Sequence, residues 1–251
     1  MKEKAYILLA KQEKISNKAA KELIDSGRVY ARDNKIKIAR GLLPVNTRFK
    51  ITKINKPKKI FEDENLIAVD KPPYITSENI AKMFNTPLLH RLDKDTSGIL
   101  ILVKNETFKQ KAIKEFKNHN VYKEYIAWVK GIIPEKEEIN LPLKIIKTKQ
   151  GAYAKVSKEG QEAITIIEPI LAFRTKSKIK AIIKTGRTHQ IRAHLKAIEH
   201  PIIGDEKYGG MPYQRVMLHH HKFKIFDYEF VSKEPNDFKM KEEMEFKRKR
   251  R

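Results

Sequence analysis

Five short apolar runs limit what this chain can build. They occupy residues 66–69, 99–103, 121–129, 163–170 and 179–185, and none approaches the ~18 consecutive apolar residues that a membrane helix needs. Short runs rich in β-branched residues and bounded by turn formers predict strands. Between them, residues 107–116 and 191–198 carry helical spacing, the second stopping before Pro201. Strands and helices are interspersed without a regular β-α alternation. That pattern predicts an α+β domain with a mixed, mainly antiparallel sheet flanked by helices, rather than a doubly wound one.

The length, 251 residues, suits one large and one small domain. Residues 1–52 read as a separate small α+β module. Two helices are predicted over 5–14 and 17–26, with Ser16 or Asn17 as N-cap and Gly27 as stop, followed by short strands with a turn at Asp33-Asn34. The segment KINKPKKI, 53–60, reads as a basic linker. A larger domain is expected over 61–233. The remainder, 234–251, ends in KMKEEMEFKRKRR and reads as a charged tail.

Charge narrows the partners. Fifty-four Lys and Arg face 31 Asp and Glu, a net +23. Within 1–60 the count is 17 against 5, so about half of the excess lies in a quarter of the chain. Such a surface attracts polyphosphate. No strongly amphipathic basic helix supports a membrane surface as the alternative. Cysteine is absent, which removes disulfides, thiolate metal sites and cysteine nucleophiles. The apolar run near the N-terminus is about six residues, too short for a signal-peptide core. The expectation is a cytoplasmic protein that works as a monomer, with no membrane partner.

Four clusters could carry chemistry. In HRLDKDTSGILILVKN, 90–105, Asp93 lies between basic residues at the mouth of a buried strand, and Thr96-Ser97-Gly98 form a turn. Arg91 or another nearby cation would hold the carboxylate ionised. A salt-bridged surface turn explains the loop equally well. In TGRTHQIRAH, 185–194, a helix is expected to start near Thr188, placing Arg187 and Arg192 at a natural anion site. His189 with Arg192, and Gln190 with His194, form two neighbouring polar pairs. His189, His194 and His200 lack the Glu of an HExxH metal motif. In VYKEYIAWVKG, 121–131, Lys123 and Tyr125 share one strand face, suited to stacking on a base; simple packing of Tyr125 is the commoner case. In HPIIGDEKYGG and MLHHHKF, the glycines mark turns, and His219, His220 and His221 alternate faces, so they read as structural. The phosphate loop, GxGxxG and GxSxG are missing, which removes support for nucleotide hydrolysis, dinucleotide redox chemistry and serine hydrolysis.

Taken in order, HRLDKDTSGILILVKN, KEYIAWVKG, GRTHQIRAH with HPIIGDEKYG, and RVMLHHHKF resemble the RluA-type RNA pseudouridine synthases over about residues 60–232. Residues 1–52 resemble the alpha-L RNA-binding domain of ribosomal protein S-four, although Ala5, Tyr6 and Ile7 replace its usual Arg-Leu-Asp start. The resemblance implies isomerisation of uridine in structured RNA, with large-subunit rRNA the first expected target and tRNA the second, and with no cofactor or metal. It implies Asp93 as nucleophile or base toward the ribose, Tyr125 as the ring against the flipped uracil that assists proton removal, and Arg192 as partner of the aspartate. Ile191 would wall the uracil pocket, and Arg91 would help displace the target base. His90, Lys123 and Arg187 complete the expected substrate-binding set. A non-catalytic RNA-binding or ribosome-assembly factor is the contrasting reading. A hydrolase using Asp93 is disfavoured because no paired catalytic acid or metal site accompanies it.

Overall fold

The computed structural model describes residues 1–32, 34–148 and 151–240, and the chain divides into two compact units, Met1–Asn55 and Lys56–Arg251. Among the described residues no helix is long and apolar enough to cross a membrane.

The first unit runs β1 (Lys2–Lys4), α1 (Ala5–Glu13), α2 (Asn17–Asp25), β2 (Val29–Ala31), β3 (Asn34–Lys35), β4 (Leu42–Pro44) and β5 (Phe49–Ile51). The Ser16 hydroxyl accepts from the Ala19 N–H at 3.1 Å and starts α2 as expected. Part of the predicted 33–34 turn, Asp33, lies outside the described residues. Ala5, Leu9, Ala20, Ile24, Val29 and Phe49 form a small core. Gln12 ties the helices to β5 by donating to the Phe49 carbonyl and accepting from its N–H.

The second unit holds β6 (Lys58–Glu62), β7 (Leu66–Lys71), α3 (Ser77–Phe84), β8 (Ser97–Val103), α4 (Glu106–Lys117), β9 (Tyr122–Lys130), β10 (Glu137–Asn140), β11 (Leu143–Thr148), β12 (Gly151–Val156), β13 (Ile164–Phe173), β14 (Lys176–Ile183), α5 (Gln190–Ala197), β15 (Leu218–Ile225) and β16 (Tyr228–Val231). Its large sheet has the order β10-β13-β14-β9-β15-β8-β7-β6, with β16 beside β15. β8 and β15 pair in parallel; the other described pairings in this sheet are antiparallel. The expected α+β architecture with a mixed, mainly antiparallel sheet is therefore the one observed.

The apolar runs explain the layering. Along β8, Leu100 and Leu102 enter one core, while Ile99, Ile101 and Val103 enter the other. A strand covered on both faces needs no polar alternation. α4 lays Phe108 and Ala112 on one face; α3 and α5 cover the other with Ile80, Ile191 and Leu195. Gly98 sits at φ +108°, and a Cβ there would meet the His220 carbonyl oxygen at 2.2 Å. Only glycine allows β8 and β15 to approach so closely.

Three element assignments are corrected. Residues 58–60, expected in a linker, belong to β6, which pairs with β7. β6 is an exposed edge strand, so it carries no buried-strand pattern to read. The expected tail is packed at its start: a short 3-10 helix, Asn236–Phe238, buries Phe238, Met240 is buried after it, and Asp237 pairs with Arg215 at 3.2 Å. Residues 241–251, including the all-basic end, lie outside the described residues. α5 begins at Gln190 rather than near Thr188, because His189 takes a left-handed conformation, φ +53°.

The three consecutive histidines hold strands together. His219 donates to the Ser232 carbonyl and accepts from Ser97 at 2.8 Å. His220 donates to the Ile99 carbonyl at 2.6 Å, and His221 bonds the Ser232 carbonyl. Burial pulls His219 down to about 3, and it pulls His90 to about 4. The unfolded chain takes up these protons near pH 6.5, while the folded state resists them. Stability is therefore full above pH 6.5 and falls below it, down to about 4 for His90 and about 3 for His219, at up to about 1.4 kcal/mol per pH unit for each group. Thermal midpoints at pH 7.5, 6 and 5 should decline in that order; a midpoint indifferent to pH would refute the assignment.

Candidate active site

The loop between α3 and β8 is fixed from both sides of Asp93. Ser77, buried, both donates to the Leu92 carbonyl and accepts from the Leu92 N–H, each at 2.9 Å. Lys71 is fully buried and donates to the carbonyls of Pro72, Ile75 and Lys94. Burial pulls that amine down to about 7. The Thr96 N–H closes a turn on the Asp93 carbonyl at 3.2 Å. His90 accepts from the Ile101 N–H at 3.2 Å, with its ring stacked on Phe223. These bonds fix the backbone on either side of the Asp93 side chain.

Asp93 and Arg192, 99 residues apart in sequence, meet at 3.0 Å between Oδ2 and Nη1. The cation beside Asp93 is thus Arg192, and not Arg91. Arg91 is exposed and pairs with Glu78 at 2.9 Å. Arg192 is buried and makes a tighter, two-pronged contact with Asp205: Nε to Oδ2 at 2.6 Å and Nη2 to Oδ1 at 2.8 Å. Its guanidinium also lies over the Tyr208 ring, 5.0 Å from the centroid. Burial alone would lower the Arg192 pKa; the Asp205 carboxylate, then Asp93, outweigh it and hold the group above its ordinary value. Asp205 follows Gly204, at φ +82°, where a Cβ would meet the Arg215 carbonyl oxygen at 1.8 Å. The glycine is what lets this turn deliver the second carboxylate.

Tyr125 lies on β9 in the wall of the same cleft. Its ring stacks on His220, its cross-strand partner, at 4.4 Å between centroids and 14° between planes. Burial, then the charge of Asp93, push the phenol well above its ordinary range. At neutral pH the ring is therefore a neutral stacking face, and both causes oppose the phenolate that proton removal would need. On the same strand face, Lys123 is buried, donates to the Thr185 carbonyl at 3.3 Å and sits 5.4 Å from the Phe116 ring centroid. Burial, then the charge of Arg187, pull Lys123 down to about 8. Ile191 and Leu218 line the cleft, and Arg187 lies at its edge, donating to the Glu162 carbonyl.

The expected polar pairs of α5 separate onto two jobs. His189 and Arg192 both approach Asp93. Gln190 and His194 both bond the buried Thr165 hydroxyl and act as scaffold. Among the described residues no group of three or more His, Cys, Asp or Glu could hold a metal ion. The cleft measures about 1100 Å³, at the upper end for small-ligand pockets. A carboxylate, a buried guanidinium and a flat neutral ring thus converge in one cleft.

Sequence reasoning missed Asp205 and Tyr208 as parts of this site, and it read His189 as a polar partner of Arg192 and a rejected metal ligand. Their signal was the GDEKYGG stretch, readable only as turns until Arg192 is placed beside it.

The model for the family described as RNA pseudouridylate synthase matches residues 50–197. The chain belongs to this family. A Helicobacter pylori (strain J99) protein described as an uncharacterized RNA pseudouridine synthase is 53% identical over 242 residues, spanning 95% of this chain and all of the relative. Two Haemophilus ducreyi proteins are each 32% identical. One, tRNA pseudouridine synthase C, aligns over 62% of this chain and 75% of its own length. The other, ribosomal large subunit pseudouridine synthase D, aligns over 61% and 53%. Human RNA pseudouridylate synthase domain containing 1 shares the fold, at 24% identity and a TM-score of 0.61, over 72% of this chain and 84% of that one. The chain is accordingly an isomerase acting on RNA.

Proposed function

We propose that this synthase converts specific uridines of large-subunit rRNA to pseudouridine, with Asp93 as the reacting carboxylate. The observation that carries the reading is the Asp93–Arg192 pair in a cleft walled by Tyr125. A paired base cannot reach such a cleft, so the uridine must flip out, at a cost of a few kcal/mol. The Tyr125 ring and the Ile191 side chain would receive the uracil; Arg187 and Arg91 would meet the RNA backbone and help displace the base, whereas His90 and Lys123, expected in the same set, are held inside the fold by Ile101 and Thr185. Asp93 then acts on the ribose in one of two ways. As nucleophile it bonds C1′ while the bond to uracil N1 breaks; the turned uracil attacks through C5, expelling Asp93, and the C5 proton departs as N1 gains one. As base it takes a ribose proton instead and returns it later. Either route is an isomerisation with no net oxidant or co-reactant.

Residues 1–52 would serve as an alpha-L RNA-binding domain. Its two helices, short strands and concentrated positive charge support that role. An RNA-binding module of this type beside the synthase unit favours rRNA, and the large-subunit synthase relative agrees with it. The tRNA-synthase relative favours the second reading, tRNA. The test is to incubate the protein with unmodified large-subunit rRNA and with unmodified tRNA, then map pseudouridine chemically. Isomerised sites in rRNA support the proposal. Sites in tRNA alone establish the second reading, and no pseudouridine in either leaves the non-catalytic factor.

A further inference from the structure

Each polar contact that the described residues make with the Asp93 carboxylate falls on the same oxygen. Oδ2 receives Arg192 Nη1 at 3.0 Å, and His189 Nε2 stands 3.7 Å from it. Oδ1 carries no protein hydrogen bond among the described residues. His189 is itself held on its far side: Nδ1 lies 3.0 Å from the Tyr208 hydroxyl, and the two rings meet edge-on at 5.6 Å. The Tyr208 oxygen already accepts from the Ala154 N–H at 2.9 Å. With that acceptor role taken, its proton is available to the lone pair of Nδ1, the arrangement that leaves the imidazole proton on Nε2, the atom facing Asp93.

The charged groups around His189 agree. Burial lowers it most, Arg192 and Lys207 add to that, and Asp93 and Asp205 work against it; the balance lies below the ordinary histidine value. The ring is neutral at neutral pH, with a single N–H to give.

We propose that His189 is a positioning residue of the isomerisation: its Nε2–H, aimed by Tyr208, joins Arg192 on Oδ2 and leaves Oδ1 as the oxygen that reacts with the ribose. The 3.7 Å gap closes with a shift of under an ångström, as such contacts do when substrate binds. In the nucleophilic route Oδ1 forms the bond to C1′. The donors on Oδ2 then polarise the ester, so that the bond from Oδ1 to C1′ breaks more readily when C5 attacks. In the base route they hold the carboxylate in one orientation while Oδ1 takes the proton. This inference rests on the reading of Asp93 as the reacting group.

The experiment uses the full chain and RNA transcribed with uridine tritiated at C5, since that hydrogen is lost when C5 joins the ribose. His189→Ala should lower kcat by about tenfold to a hundredfold, less than loss of a short oxyanion-type donor, with the RNA KM within about twofold. His189→Gln, which keeps an N–H at a similar reach from the backbone, should recover most of the loss. Nitrogen-15 spectra of labelled histidines should show His189 as the Nε2–H tautomer, and Tyr208→Phe should mix the tautomers and lower kcat. A kcat for His189→Ala within twofold of wild type, a loss confined to KM, or an Nδ1–H tautomer in the wild-type protein would overturn the inference. If His189→Ala does not fold, His189→Gln and the wild-type spectrum decide the question. An inactive Asp93→Asn beside a fully active His189→Ala sinks this inference alone, whereas an active Asp93→Asn sinks the reading beneath it.

Discussion

Asp93→Asn is expected to abolish pseudouridine formation while RNA affinity stays within about threefold. The two halves have separate physical origins. Affinity comes from many Lys and Arg contacts to phosphate, spread over a chain of net +23, and one side chain in the cleft contributes little to it. Turnover depends on an oxygen that can bond C1′ or take a proton, and an amide does neither. Loss of a lone reacting group of this kind costs on the order of 10⁴-fold or more. The fold should tolerate the change, because Arg192 keeps its two bonds to Asp205 and the loop keeps the clamps from Ser77 and Lys71. Filter binding and tritium release on the same preparation check both halves. Measurable turnover by Asp93→Asn or Asp93→Ala would remove Asp93 from its proposed role, whatever the binding shows.

Asp205→Ala should damage both stability and catalysis, although Asp205 is not proposed to touch the substrate. Its carboxylate makes the tighter of the two contacts with Arg192, whose side chain is 5% exposed. Removing one partner of a buried ion pair leaves an uncompensated charge and costs about 3–5 kcal/mol. For a unit of this size the melting point should fall by roughly 10 °C or more. The freed guanidinium should then turn its fork toward Asp93, binding both carboxylate oxygens and blocking the attacking one; kcat is expected to drop by about a hundredfold or more. Asp205→Asn retains an acceptor for one N–H and should recover part of the stability but less of the rate. A variant that melts within 2 °C of wild type would show that Asp93 alone suffices to hold Arg192.

Much of the fold was legible because its signals are local. The uninterrupted run 99–103 could only be a buried strand, and the structure covers it on both faces. The Ser16 cap and the break near Gly27 delimited α2 from neighbouring residues alone. Largely exposed elements were missed: β6 has no apolar alternation to reveal it, and the β11–β12 hairpin, which buries Leu143 and Ala154, hides among lysines. The packed start of the C-terminal segment was hidden for the opposite reason. Phe238 and Met240 are two apolar residues in a charged stretch, and nothing local says that a core lies beside them.

Residue types and their order, without any coordinates, determined that this chain is a cationic α+β protein with Asp93, Tyr125 and Arg192 as the groups to examine. The first conclusion rests on composition and periodicity; the three residues are what the resemblance of the ordered motifs to the RluA-type synthases implies. Residue spacing left open which cation serves Asp93, the resemblance implied Arg192, and the tertiary structure decided it. Arg91, two residues away, pairs with Glu78, while Arg192, 99 residues away, fills the position. It also decided that Arg192 is shared with Asp205, and that the Tyr208 hydroxyl lies at the nitrogen of His189 turned away from Asp93. The reason is that an ion pair or a tautomer is set by distances of about 3 Å between side chains from different elements. Such distances follow from how the sheet and α5 pack, and no spacing along the chain encodes them.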